Sequence, residues 1–138
     1  MTDAEKTSHT LRNEFVCVVC PNGCTIDAEF EPSETPGTPP RLISFEGARC
    51  ARGETWIKQE IESPMRTIAT SVLVRNGDYI NASVRTDRPI PLTAVKDIMD
   101  AVRDVVLDAP VHIGQVVLTN PAGADTNVVA TREVQRLN

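Results

Sequence analysis

All four cysteines fall within the first 50 residues of this 138-residue chain, and residues 51–138 contain none. They are spaced Cys17-x2-Cys20-x3-Cys24-x25-Cys50, so three thiols lie within eight residues and the fourth comes from far along the chain. A fold must bring that fourth thiol back to the other three if they act together. The pattern suits one soft, thiolate-bound centre. A [4Fe–4S] cluster takes four thiolates and is commonly marked by clustered cysteines and one remote cysteine. Zinc is the main alternative, because C-x2-C is half of a four-cysteine zinc site. The usual zinc ribbon pairs two such knuckles, whereas here the second half is Cys50 alone. Disulfides suit the sequence less. Met1 to Thr10 is polar with no apolar core behind it, which predicts no secretory leader, and cytoplasmic thiols stay reduced. A Cys17/Cys20 redox dithiol would leave Cys24 and Cys50 without a role.

The residues around the thiols agree with a metal centre. Pro21-Asn22-Gly23 predicts a tight turn. Gly23, with no Cβ to crowd a cofactor, is a candidate cofactor-binding residue. Arg49 and Arg52 flank Cys50, and their charge would offset that of a four-thiolate centre. Cys17, Cys20, Cys24 and Cys50 are therefore the candidate metal ligands, and Arg49, Arg52 and Gly23 the candidate cofactor contacts.

Along the chain, residues 1–13 read as a flexible tail and 14–63 as the four-cysteine module. Within that module, Thr25–Phe30 and Arg41–Glu46 predict two strands of a hairpin. Its tip, 31–40 (EPSETPGTPP), predicts a mobile loop. Ala51–Glu62 predicts a helix stopped by Ser63-Pro64. Residues 64–138 read as a scaffold and docking domain. Its strands are predicted at 65–75, 79–85, 111–118 and 128–134, with Asn76-Gly77 as a hairpin turn. Val95, Ile98, Met99, Val102, Val105 and Val106 fall on one face of a predicted helix over 93–107. The fold class is α+β: a small Cys-rich metal-binding hairpin module, then a compact mixed domain with one main helix and several antiparallel strands.

Composition narrows the function. Fourteen basic residues against 19 acidic give a net charge of −5, which argues against a general nucleic-acid surface. No apolar run reaches the roughly 20 residues of an integral membrane segment. His112 stands alone in a strand-like run and reads as packed or surface rather than as a ligand, and His9 falls in the tail. Arg85-Thr86-Asp87-Arg88-Pro89 reads as a solvated turn ahead of a phosphate site. Trp56 could shield the centre or simply pack its helix. No catalytic constellation independent of the thiols is present.

Two resemblances go with these residues. Cys17-Val-Val-Cys20-Pro-Asn-Gly23-Cys24, followed by Cys50-Ala51-Arg52-Gly53, resembles the N-terminal iron–sulfur domain of molybdopterin-dependent oxidoreductases. There the basic residue matching Arg52 sits between cluster and pterin. That resemblance covers about 40 residues, and a pterin would need a far longer chain. Nearly the full length resembles the DUF1667 family of small four-cysteine proteins. The stretches that carry this are Phe15 to Cys24, Cys50 to Glu54, Val84 to Pro91, Pro110 to Gly114 and Val128 to Arg132. Members of that family accompany flavin-dependent oxidoreductases. The resemblance thus implies a cytoplasmic electron-transfer subunit, hetero-oligomeric with an FAD-dependent dehydrogenase.

Overall fold

The computed structural model describes residues 9–138. The chain divides into two units, one ending at Pro64 and one running from Met65 to Asn138. The fold is α+β, with two α-helices among many strands in the described residues.

The first unit is a three-stranded antiparallel sheet in the order β1-β2-β3, formed by β1 (Leu11–Val16), β2 (Thr25–Glu31) and β3 (Arg41–Glu46). The helix α1 (Ala51–Glu62) packs on it. Gly53, Ile57 and Ile61 recur every fourth residue, which puts them on the buried side of α1. They meet Cys17, Ile26 and Ala28, and Phe15, Phe30, Phe45 and Leu42 close the edges of this core. The rings of Phe15 and Phe30 meet edge-on at 6.4 Å. At the far end of α1, Glu62 accepts the Leu42 amide at 3.2 Å and ties the helix to β3.

β2 and β3 form the hairpin that the alternating residues predict. β1 is the departure. Leu11, Arg12 and Asn13 read as tail, yet they pair with Phe30, Glu29 and Ala28. Their mostly polar side chains gave no alternating signal; backbone pairing on an exposed edge needs none. The rest of the predicted tail, residues 1–8, lies outside the described residues. Glu31, read as the start of the loop, is the last residue of β2 and pairs through its carboxylate with Arg41 at 2.8 Å.

The second unit is built on a five-stranded sheet in the order β8-β5-β6-β10-β9. Its strands are β5 (Ala69–Arg75), β6 (Asn81–Thr86), β8 (Val106–Asp108), β9 (Val116–Thr119) and β10 (Asn127–Ala130). A short ladder pairs β4 (Met65–Arg66) with β7 (Ile90–Pro91). Every pairing is antiparallel except that of β5 with β8. α2 (Val95–Arg103) sets Ile98 and Val102 into a core with Val72, Val74, Val84, Val111, Val128 and Val134.

α2 is shorter than the predicted 93–107. Leu92–Ala94 is a 3-10 turn, and the chain leaves the helix after Arg103. Val105 and Val106 continue the helical spacing, but these β-branched residues suit an extended chain, and Val106 pairs beside Leu73 as an edge strand. The strand predicted over 111–118 is reduced to Val116–Thr119. Gly114, at φ +85°, sits in a turn where the Gln115 amide donates to the His112 carbonyl. Among the described residues no helix is long and apolar enough to cross a membrane.

Asp87 latches β6 to β10. Its carboxylate accepts the Asn127 amide at 2.9 Å and the Thr126 hydroxyl at 3.0 Å. These bonds, the Asn127 amide first, hold its pKa below the ordinary value of 3.8. A depressed carboxylate stabilises the fold fully above its unfolded pKa, and loses that contribution as pH falls through the lower folded value. The gap in melting temperature between the wild type and Asp87→Asn at neutral pH is therefore expected to shrink below about pH 4. A gap that holds constant down to strong acid would show that the Asp87 charge contributes nothing.

Candidate metal centre

The loop carrying three of the thiols is the turn of the β1–β2 hairpin. Val16 pairs with Thr25, and the Cys17 amide donates to the Cys24 carbonyl at 2.8 Å, closing a loop over residues 17–24. Gly23 turns within it at φ +57°. Cys17 follows β1 directly and points into the core, 6 % exposed, while Cys20 and Cys24 are half-buried.

Cys50 arrives by another route. β3 runs antiparallel to β2 as far as Glu46 opposite Asp27. Gly47 then crosses close over Thr25 at φ +97°, where an added Cβ would run into the Thr25 carbonyl oxygen. That crossing carries Ala48, Arg49 and Cys50 to the three-thiol loop. Cys50 is the N-cap residue of α1, extended at φ −152°. No side-chain cap bond of ordinary geometry forms there. The Gly53 amide nonetheless lies near enough to the thiol to lower its pKa; desolvation opposes this, and the Arg52 amide and guanidinium add smaller lowering effects. The start of a helix favours a thiolate in this way.

All four thiols line one cavity of about 80 Å³, together with Val19, Asn22, Ile26, Ala48, Arg49 and Gly53. Gly53 stands between two of them: a Cβ built on it would lie 3.8 Å from Cys17 Sγ and 4.0 Å from Cys50 Sγ. No disulfide joins the cysteines. Among the described residues no group of three or more His, Cys, Asp or Glu side chains is gathered for one metal ion. The four cysteines border one common space.

The candidate cofactor contacts separate. Arg49 lines the thiol cavity. Arg52 lies on the neighbouring surface, with its guanidinium toward Cys50. Gly23 is not in the lining; a Cβ there would meet only Val16 Cγ1, at 3.9 Å. The clearance expected beside Cys24 is found at Gly53, and Gly23 serves the turn. Gly47 and Gly53 were missed as site residues. The signal for Gly47 was a glycine at the end of a strand and three residues ahead of a cysteine.

The other singled-out residues have their own partners. In the second unit His112 Nδ1 lies 2.8 Å from Glu133, whose other oxygen accepts the Ile113 amide at 2.7 Å. Arg88 pairs with Asp125 at 3.2 Å, and Asp87 is the latch described above, so 85–89 is a pinned turn. Trp56 packs at the edge of the first unit's core, and His9 is exposed ahead of β1.

No curated protein matches the chain. The sequence profile of a family described as "Protein of unknown function (DUF1667)" matches residues 51–132, more than half of the chain. The match begins immediately after Cys50, so it spans α1 and nearly all of the second unit, and the four thiols lie ahead of it. The chain belongs to the DUF1667 family.

Proposed function

We propose that this protein is an iron–sulfur electron-transfer subunit, in which Cys17, Cys20, Cys24 and Cys50 hold one [4Fe–4S] cluster. The observation that carries the reading is the single cavity lined by all four thiols. When bound, such a cluster accepts and returns one electron at a time. The donor set fits it in number and softness.

The chain's own residues divide the work. Cys17 anchors the site in the apolar core. The Gly53 and Arg52 amides favour the thiolate form of Cys50. Arg49, on the cavity wall, offsets the negative charge of four thiolates. Val19 and Ile26 keep part of the wall apolar and restrict water. We read the chain as a relay rather than as the enzyme. It would pass electrons to or from the flavin of an FAD-dependent dehydrogenase within a hetero-oligomer, in the cytoplasm, where thiols stay reduced. A structural zinc at the same thiols would be redox-silent.

The test is spectroscopic. Protein purified without air and reduced with dithionite is expected to show an unpaired-spin EPR signal that Cys17→Ser lacks. A colourless, EPR-silent chain under the same conditions would contradict the reading.

A further inference from the structure

Beside the thiol cavity lies a groove of about 350 Å³ lined by Val19, Ala51, Arg52, Thr55, Trp56 and Gln59. Val19 belongs to both, and Ala51 and Arg52 directly follow Cys50, so the groove begins where the thiol site ends. Its long wall is the face of α1 bearing Arg52, Thr55, Trp56 and Gln59, at positions i, i+3, i+4 and i+7. The opposite face of α1 is spent on the sheet through Gly53, Ile57 and Ile61.

This surface is apolar and cationic on a chain that is acidic overall. Val18 and Val19, in the loop that reaches it, are 75 % and 38 % exposed. Among the described residues Arg52 is the one charged side chain lining the groove. Among the described residues neither Arg49 nor Arg52 forms an ion pair with a carboxylate. The start of α1 adds its partial positive charge. Glu54, the acidic residue of the first turn, lies off the groove face. Apolar side chains beside a cation that has no carboxylate partner, on a protein of net charge −5, fit an acidic partner surface with an apolar tip.

We propose that this groove docks an acidic, apolar-tipped loop of the protein that exchanges electrons with the centre. A carboxylate of that loop pairs with Arg52, and an apolar side chain lies on Trp56. The identity of the partner rests on the electron-transfer reading; its chemistry rests on the groove. Docking there sets the partner against Cys50, the exposed thiol of the four.

Trp56 is the only tryptophan in the chain, so the emission of the full-length protein reports on the groove directly. The probe is a synthetic peptide, acetyl-Asp-Leu-Glu-Leu-Asp-amide, with a counterpart in which lysine replaces each acid. The acidic peptide is expected to change Trp56 emission saturably, and the basic one not to. Arg52→Glu is expected to weaken the acidic peptide about tenfold or more. Lys58→Glu makes the same change in net charge on α1 off the groove and is expected to leave affinity unchanged. Saturation by both peptides, by neither, or equal weakening by the two variants overturns the proposal. Metal content is measured on the same samples. Expected titrations on an iron-free chain would sink the electron-transfer reading and keep the groove, while iron-loaded protein that ignores the peptide would do the reverse.

Discussion

Gly47→Ala is expected to unfold the first unit or leave it barely stable, with a loss of about 3 kcal/mol or more. Two effects add. The backbone at Gly47 has φ +97°, which costs an L side chain about 1–2 kcal/mol. The new methyl would also collide with the Thr25 carbonyl oxygen, a backbone atom that cannot swing aside, so β2 and β3 would have to part. Against a total stability of roughly 5–15 kcal/mol, that is a large share. Gly37→Ala is the control. It has a similar φ of +86°, but nothing lies within 4 Å of the added Cβ, so its loss is expected near 1 kcal/mol, the backbone cost alone. Urea unfolding of both variants in the metal-free state checks this, and equal losses would show that the Gly47 crossing is not close-packed. Because that crossing delivers Cys50, Gly47→Ala is also expected to lose whatever metal the thiols hold.

Serine substitutions at the two ends of the thiol set are expected to differ sharply in the metal-free chain. Cys17 is 6 % exposed among Ile26, Ala28, Ile57 and Ile61. Cys17→Ser puts a hydroxyl in that apolar setting and is expected to cost about 1–3 kcal/mol. Cys50 is exposed, so Cys50→Ser is expected to change stability by less than about 0.5 kcal/mol. Under the proposed four-thiolate site, each variant removes one ligand and is expected to fail to hold the centre. Melting curves of chelator-treated protein measure the first difference, and metal content after anaerobic loading measures the second. Equal stability losses would place the Cys17 thiol outside the core. Full metal loading of either variant would remove that residue from the ligand set.

Much of this was legible in the residues. The spacing of the thiols and the returning strand at 41–46 implied that Cys50 rejoins the other three, and Ser63-Pro64 marked the end of α1. What escaped was decided by pairing across long separations. β1 is an edge strand whose Arg12, Asn13 and Glu14 carry no buried face, and only its partner β2 makes it a strand. Val106 keeps helical spacing with Val102, yet the free edge of β5 captures it. Residues 85–89 read as a solvated turn, and what the sequence could not show is how it is pinned, because the partners of Arg88 and Asp87, namely Asp125, Thr126 and Asn127, come from far along the chain. Gly23 adjoins Cys24 and Gly53 follows Cys50 by three residues, and only the return of α1 shows which one faces the sulfurs. The family match beginning at Ala51 likewise covers α1 and its groove face but leaves the thiol loop to be argued from chemistry.

The most direct measurement is the iron, sulfide and zinc content of protein purified without air. Four thiolates around one cavity holding a [4Fe–4S] cluster predict about four iron and four acid-labile sulfide per chain and no zinc, with the content lost in Cys17→Ser. About one zinc per chain, with neither iron nor sulfide, would contradict the account and make the thiols a structural site.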